Sequence, residues 1–215
     1  MTNKLMEFES EFKSKSKTMT QILSEDGIAE CHGKILSQEE ADRYLELLME
    51  KTLWKNDEVV IFGKHIITKR QVAWYGDSDF LYSYSNTTKK AIPWTAELTA
   101  LKQKVEQIAG TTFNSCLLNL YHNGEEGLGW HSDDEKELGE RNTIASLSLG
   151  APRRFLFKHK QTKKTVTVIL EHGSLIIMKG DTQKNWLHSL PKAKNVTGPR
   201  INLTFRKFKR FTKEI

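Results

Sequence analysis

Two periodicities divide the chain. In its first half, apolar residues recur at the three- and four-residue spacing of a helix face. Ala41, Tyr44, Leu45, Leu48 and Met49 form one stripe, and Leu98, Leu101, Val105 and Ile108 form another. Ser37-Gln38-Glu39-Glu40 stands before the first stripe in the pattern of a capping box, where hydroxyl and carboxylate each accept from the other's backbone N–H. The second stripe predicts a helix from about Thr95 to Ala109, with Gly110 placed to end it. From Thr112 onward the pattern changes to short β-rich runs between turn residues: FNSCLLNLY, TIASLSLG, RRFLFKHK, TVTVILEHG, GSLIIMKG and RINLTFRKF. Runs of this kind without intervening helices predict a sandwich or barrel rather than βαβ units. About six to eight antiparallel strands in two sheets make a jelly roll, which can enclose a site between its sheets while the helices buttress one of them. Residues 1 to about 20 have few large apolar side chains and many Lys, Ser and Glu, which predicts a flexible arm. The remainder, 21 to 215, is expected to form one α+β domain.

Composition narrows the class without choosing a function. With 38% hydrophobic and 28% charged residues over 215 positions, the chain can bury a substantial core and is neither fibrous nor disordered in bulk. Apolar stretches such as Leu175 to Met178 fall far short of the roughly 20 residues of a membrane-spanning helix. The N-terminus lacks the apolar centre and small-residue cleavage site of a secretory signal. A protein inside the cell and off the membrane is therefore expected, in the cytoplasm of a bacterium or the nucleus of a eukaryote. Cys31 and Cys116 stand in no paired spacing, so two reduced, partly buried thiols are expected instead of a disulfide or thiolate cluster. A net charge of +6 fits a phosphate-rich partner, since cationic side chains release counterions condensed on nucleic acid.

The candidate chemistry lies in two segments. In GWHSDDE, His131 and Asp133 are two positions apart, which in an extended segment points both side chains to one face. His188, in NWLHSLP, comes several predicted strands later and can return to the same mouth. Two imidazoles and a carboxylate on one face of an octahedral ion make the facial triad of non-haem iron(II) oxygenases. The same donors with water also suit catalytic zinc, so the triad alone leaves oxygenase and hydrolase open. In RINLTFR, Arg200, Asn202, Thr204 and Arg206 alternate with Ile201, Leu203 and Phe205, so the polar residues share a face. Buried guanidinium groups are costly unless paired, and a bound dicarboxylate would pair both arginines, each able to take a carboxylate bidentately. The alternative is a solvated edge strand in a basic tail.

NLY at 119 to 121, WHSDDE at 130 to 135, ASLSLG at 145 to 150, WLHSLP at 186 to 191 and RINLTFR at 200 to 206 together resemble the AlkB family of iron(II)- and 2-oxoglutarate-dependent dealkylating dioxygenases. The resemblance spans about residues 58 to 208 and is nearest to the branch that repairs duplex DNA. It implies a double-stranded β-helix, the cupin-like jelly roll, with a substrate lid over about 58 to 90 and a catalytic core over about 112 to 208. It implies that His131, Asp133 and His188 hold iron, and that Asn119, Tyr121, Arg200, Asn202, Thr204 and Arg206 surround 2-oxoglutarate. The expected reaction consumes dioxygen, hydroxylates an N-alkyl carbon of a damaged base such as 1-methyladenine or 3-methylcytosine, and releases aldehyde, succinate and carbon dioxide.

Such a centre cannot reach a base stacked in a duplex, so the target must be single-stranded or flipped into the pocket. Tyr82 and Tyr84 in WYGDSDFLYSYS lie two apart and are expected to stack on the extruded base, where the family's duplex-acting branch has phenylalanine in place of Tyr84. VVIFGK, with Phe62 before Gly63, resembles the strand-probing finger of that branch and would act as a wedge, with Lys64, Lys69 and Arg70 meeting phosphates. The plainer reading of that run is a buried strand and turn. Asp134 and Glu135 are candidates for hydrogen bonding the edge of a cationic alkylated base, a solvated acidic turn being the alternative. The expected partner is alkylated DNA, acted on by a monomer. The competing readings are an RNA or protein demethylase of the same kind, a non-enzymatic basic nucleic-acid-binding β-barrel, and a small cupin-like metal protein.

Overall fold

The computed structural model describes residues 19–61, 64–77, 81–84 and 87–209, with backbone alone at 59–61, 64, 81–84 and 87–90. In chain order the strands are β1 Thr20–Gln21, β2 Ile28–Lys34, β3 Lys55–Ile61, β4 Lys64–Gly76, β5 Leu81–Tyr84, β6 Thr87–Lys90, β7 Ile92–Pro93, β8 Ser115–Tyr121, β9 Leu128–His131, β10 Ile144–Gly150, β11 Arg153–His159, β12 Thr165–Leu170, β13 Ser174–Lys179, β14 Trp186–Leu190 and β15 Arg200–Arg206. Helix α1 is Gln38–Lys51, α2 is Ala96–Ala109, and α3 is the single turn Thr182–Asn185.

The eight strands after α2 form the predicted jelly roll. Its minor sheet runs β12-β11-β14-β9, and its major sheet has β13-β10-β15-β8 at its centre. The major sheet grows beyond the jelly roll, because β2 and β1 add to the β13 edge and β4 and β3 to the β8 edge. The segment expected as a lid thus starts as the β3–β4 hairpin, but the far half of β4, Gln71 to Gly76, pairs with β8 inside the major sheet. β5 and β6 pair only with each other, as an antiparallel ribbon. Among the described residues, no helix is long and apolar enough to cross a membrane.

Both helices begin and end as their sequences dictate. Ser37 caps α1 through a reciprocal box with Glu40, while Thr95 accepts from Leu98 N–H at the start of α2. Gly110 ends α2 at φ 64°, a left-handed conformation that costs glycine nothing. The apolar stripes of these helices face the outer side of the major sheet, where Leu48, Leu98, Leu101 and Val105 pack with Leu118, Leu147, Leu149 and Leu203. A second core between the sheets contains Tyr121, Ile144, Phe157, Met178, Trp186, Leu190 and Phe208. β10 is therefore covered on both faces, which explains its nearly continuous burial. Cys31 and Cys116 are free thiols, as expected.

Candidate active site

A cavity of about 920 Å³ opens between the sheets, and its wall is built by strand registry. β15 pairs with β8 so that Arg200 lies opposite Tyr121 and Asn202 opposite Asn119. On its other side β15 pairs with β10, placing Ser148 beside Asn202 and Ser146 beside Thr204. Since alternate residues of a strand share a face, these polar side chains all point between the sheets, while Ile201, Leu203 and Phe205 enter the helix-side core. The cavity lining includes Asn119, Tyr121, Arg200, Asn202, Thr204 and Arg206, so the predicted cosubstrate residues are assembled in one place.

Within this row, Arg200 donates through Nη2 to Asn202 Oδ1 at 2.8 Å and to Ser148 Oγ at 3.0 Å. Asn202 Oδ1 also accepts from Ser146 Oγ at 2.9 Å, and its Nδ2 donates to Thr204 Oγ1 at 2.8 Å. The Asn202 amide thus spends its polar atoms on orienting its neighbours. Arg200 is only 2% exposed, yet no carboxylate of the described residues pairs with it and its Nε–H has no acceptor among them. Burial, only partly offset by Tyr121 and aggravated by Arg153, pulls its pKa down to about 10. A buried guanidinium of this kind is a receptor for an external carboxylate.

Arg206, at the other end of the strand, has protein carboxylates for partners. Its Nη2 donates to Asp133 Oδ1 at 2.7 Å and its Nη1 to Glu135 Oε1 at 3.4 Å. The sequence suggested one dicarboxylate answering both arginines. Arg206 lines the same cavity but already meets these two protein carboxylates, whereas Arg200 meets none among the described residues.

His131, Asp133 and His188 meet, with one donor atom from each lying within 4.8 Å of the others. The pairing of β14 with β9 sets His188 directly across from His131. His131 Nδ1 lies 2.8 Å from Gly129 O; a carbonyl only accepts, so Nδ1 carries the proton and Nε2 presents its lone pair to the centre. The His188 ring packs against Phe155, with centroids 5.4 Å apart. Burial drives the His188 pKa down to about 4 against the pull of Asp133, which keeps the ring neutral and ready to ligate at physiological pH. For Asp133, burial pushes the carboxyl upward, but Arg206, His188 and His131 outweigh it and hold the group below its ordinary value. Two neutral imidazoles and one carboxylate, converging on a point, suit a divalent metal with open positions.

Asp134 and Glu135 both line the cavity. Asp134 is exposed, accepts from Ser132 Oγ at 2.9 Å and lies 3.8 Å from Lys160 Nζ. Lys69 is exposed, as a phosphate contact requires. Arg70 is not: it is buried, ion-paired with Asp57, and 6.0 Å from the Tyr121 ring centroid. The expectation that it meets phosphate is corrected, because β4 turns it inward beside β8. Phe62 lies outside the described residues. Tyr82 and Tyr84 fall on β5, opposite Lys89 and Thr87 of β6. Asp57, Lys160 and Gln183 were not singled out in the sequence, since each acquires its role through a partner distant along the chain.

A jelly roll holding two histidines and a carboxylate beside a buried, carboxylate-seeking arginine defines a non-haem metal oxygenase that uses an acidic cosubstrate. The chain belongs to the 2OG-Fe(II) oxygenase superfamily, whose model matches residues 29–206. It is an Fe(II)-, 2-oxoglutarate- and dioxygen-dependent dioxygenase, and the residues just described fit those cofactors. Mouse "DNA oxidative demethylase ALKBH2" is 39% identical over 196 residues, covering 86% of this chain and 82% of that protein. Human ALKBH2 is 42% identical over 157 residues, 69% of this chain and 60% of its own length. Human "Alpha-ketoglutarate-dependent dioxygenase alkB homolog 3" is 41% identical over 177 residues, 78% of this chain and 61% of its own. Among solved structures, OsALKBH1 matches with a TM-score of 0.61 at 16% identity, covering 87% of this chain and 100% of that one, a likeness of fold.

Proposed function

We propose that this dioxygenase repairs N-alkylated bases in DNA by oxidative dealkylation. The observation that carries the reading is the meeting of His131, Asp133 and His188 in a cavity that also holds the buried Arg200, which has no carboxylate partner among the described residues. The choice of DNA is supported by relatives about 40% identical over most of the chain that are named as DNA oxidative demethylases.

His131 Nε2, His188 and Asp133 would hold Fe(II), and Arg200 would take the distal carboxylate of 2-oxoglutarate, with Asn119, Tyr121 and Thr204 beside it. When bound, iron with cosubstrate and dioxygen supplies the oxidation: 2-oxoglutarate leaves as succinate and carbon dioxide, and one oxygen atom enters the alkyl C–H bond. The protein's own contribution is orientation and charge. Arg206 fixes the Asp133 carboxylate, Gly129 fixes the His131 tautomer, and Phe155 holds the His188 ring. Tyr82 and Tyr84 on the β5–β6 ribbon would stack on the target base. Asp134, beside the metal ligand and exposed in the cavity, would accept from a cationic alkylated base. Lys69 and a net charge of +6 favour the phosphate backbone, and the protein works as a monomer on duplex as well as single-stranded DNA.

The test is formaldehyde release from oligonucleotides carrying 1-methyladenine or 3-methylcytosine, single- and double-stranded, with methylated RNA and peptide in parallel. Release from DNA that requires both Fe(II) and 2-oxoglutarate, and is abolished in His131→Ala together with succinate production, is the expected result. Turnover confined to RNA or peptide would overturn the substrate assignment.

A further inference from the structure

We infer that Gln183 and Lys160 are positioning residues that hold Asp133 at the metal centre, a role resting on the reading of His131, Asp133 and His188 as the ligands. Asp133 lies beyond the end of β9, in backbone with no regular hydrogen-bond ladder to fix it. It is nonetheless buried, and a buried N–H requires an acceptor. That acceptor is Gln183 Oε1, 2.9 Å from Asp133 N. Since only the amide oxygen can accept, the Gln183 side chain has one permitted orientation, and its Nε2 then meets Met178 Sδ at 3.4 Å. Gln183 is itself buried on α3, the turn leading into β14 and His188. One side chain therefore joins the segment carrying the carboxylate ligand to the one carrying the second imidazole.

Lys160, at the end of β11, tightens the same joint. Its Nζ donates to Gln183 O at 2.9 Å and to Ser132 Oγ at 3.1 Å, so the residue before Asp133 and the residue holding Asp133 share one ammonium. Ser132 Oγ donates onward to Asp134. Arg206 fixes the Asp133 carboxylate, leaving backbone placement to the Gln183 and Lys160 pair. Groups that orient ligands in this way commonly set metal affinity by 10- to 100-fold, roughly the range expected for Gln183.

The experiment titrates the full-length apo protein with Co(II), following affinity and the visible d–d absorption that reports coordination geometry. Gln183→Leu should weaken Co(II) binding about 10- to 100-fold and alter the absorption bands. Gln183→Glu, which keeps an acceptor oxygen for Asp133 N–H, should restore both, and Lys160→Met should move them in the Gln183→Leu direction by less. Lys34→Ala, at a surface ion pair with Glu171 outside the cavity lining, should change neither. Native affinity and bands in Gln183→Leu, or a failure of Gln183→Glu to restore them, would overturn the inference. If Gln183→Leu does not fold, Lys160→Met decides, and native binding by that variant refutes the joint. Absence of Co(II) binding by the wild type would instead overturn the metal-site reading on which this inference stands.

Discussion

Replacing Arg200 by methionine separates a residue kept for the ligand from one kept for the fold. The guanidinium is buried and its pKa is pulled down to about 10. At about 1.4 kcal/mol per pKa unit, the charged form is disfavoured by roughly 3 kcal/mol in the folded protein. The sign follows from linkage. Because the folded value lies below the unfolded one, the cost is present in full at neutral pH and is relieved only as pH climbs through about 10 toward the ordinary arginine value. Against it stand hydrogen bonds to Ser148 and Asn202, each worth about 1.5–3 kcal/mol when the donor is charged. The opposing effects are of similar size, so Arg200→Met should leave the stability of the ligand-free protein within about 1–2 kcal/mol of wild type.

Ligand binding should respond very differently. Removing one partner of a buried charge pair costs about 2–5 kcal/mol, or roughly 30-fold to a few thousandfold in Kd for 2-oxoglutarate. Calorimetric titration of 2-oxoglutarate into the Mn(II)-loaded protein reads the affinity, and urea unfolding of the apo protein reads the stability. Arg200→Lys, which keeps the charge but loses the planar fork, should fall between. Wild-type 2-oxoglutarate affinity in Arg200→Met would refute the reasoning, as would a loss of apo stability as large as the loss in binding.

The Asp57–Arg70 pair should behave in the opposite manner: Asp57→Ala strands a buried cation and should cost about 3–5 kcal/mol, whereas Asp57→Leu combined with Arg70→Met should recover most of that. Urea unfolding of Asp57→Leu, Arg70→Met and the double variant tests this, and simple additivity would refute it. Ser37→Ala removes the α1 cap and should lower stability by about 1 kcal/mol without changing kcat, because α1 packs on the side of the major sheet away from the cavity. Phe62→Ala should reduce formaldehyde release from duplex more than from single-stranded DNA, and equal losses on both would remove the wedge.

Features governed by short-range periodicity were legible in the sequence. The two helices with their caps, six of the eight jelly-roll strands and the shared face of Arg200, Asn202, Thr204 and Arg206 follow from spacings of 3.6 or 2 along the chain, whereas the short β9 and β14 were not among the runs read as strands. β2 was not foreseen, because IAECHGK neither alternates nor carries an apolar run; it becomes a strand because β13 offers it an edge. Arg70 was misread for a related reason. In ITKRQV it looks like one of two adjacent surface cations, and only the β3–β4 hairpin, with its register shift between Asn56 and Glu58, brings Asp57 against it. Gln183 and Lys160 gave no signal, since a lone amide and a lone ammonium acquire meaning only once the segments they join are adjacent in space. Ser146 and Ser148 were read as strand composition, whereas the β10–β15 register makes them part of the polar wall.

The charges in the cavity suggest how metal and cosubstrate depend on one another. Leaving aside the exposed Lys55, Glu58 and Asp134, which water and salt screen, Asp57, Asp133 and Glu135 supply three carboxylates and Arg70, Arg200 and Arg206 three guanidiniums, so the less exposed groups sum to zero. Two neutral imidazoles add nothing to that sum. A divalent cation alone leaves two positive charges in a low-dielectric site, and a dianionic acid alone leaves two negative ones, both costly. Together they restore neutrality, and direct ligation of the metal by the acid acts in the same direction. Each should therefore bind more tightly in the presence of the other, with a coupling of about 1–3 kcal/mol, or roughly 5- to 150-fold. Linkage requires the two factors to be equal: Mn(II) must raise 2-oxoglutarate affinity by the same ratio that 2-oxoglutarate raises Mn(II) affinity. Titrating each ligand with and without the other measures both. A 2-oxoglutarate Kd unchanged by chelating the metal would show that Arg200 alone recognises the acid, and that the cavity does not bind its cofactors as a balanced set.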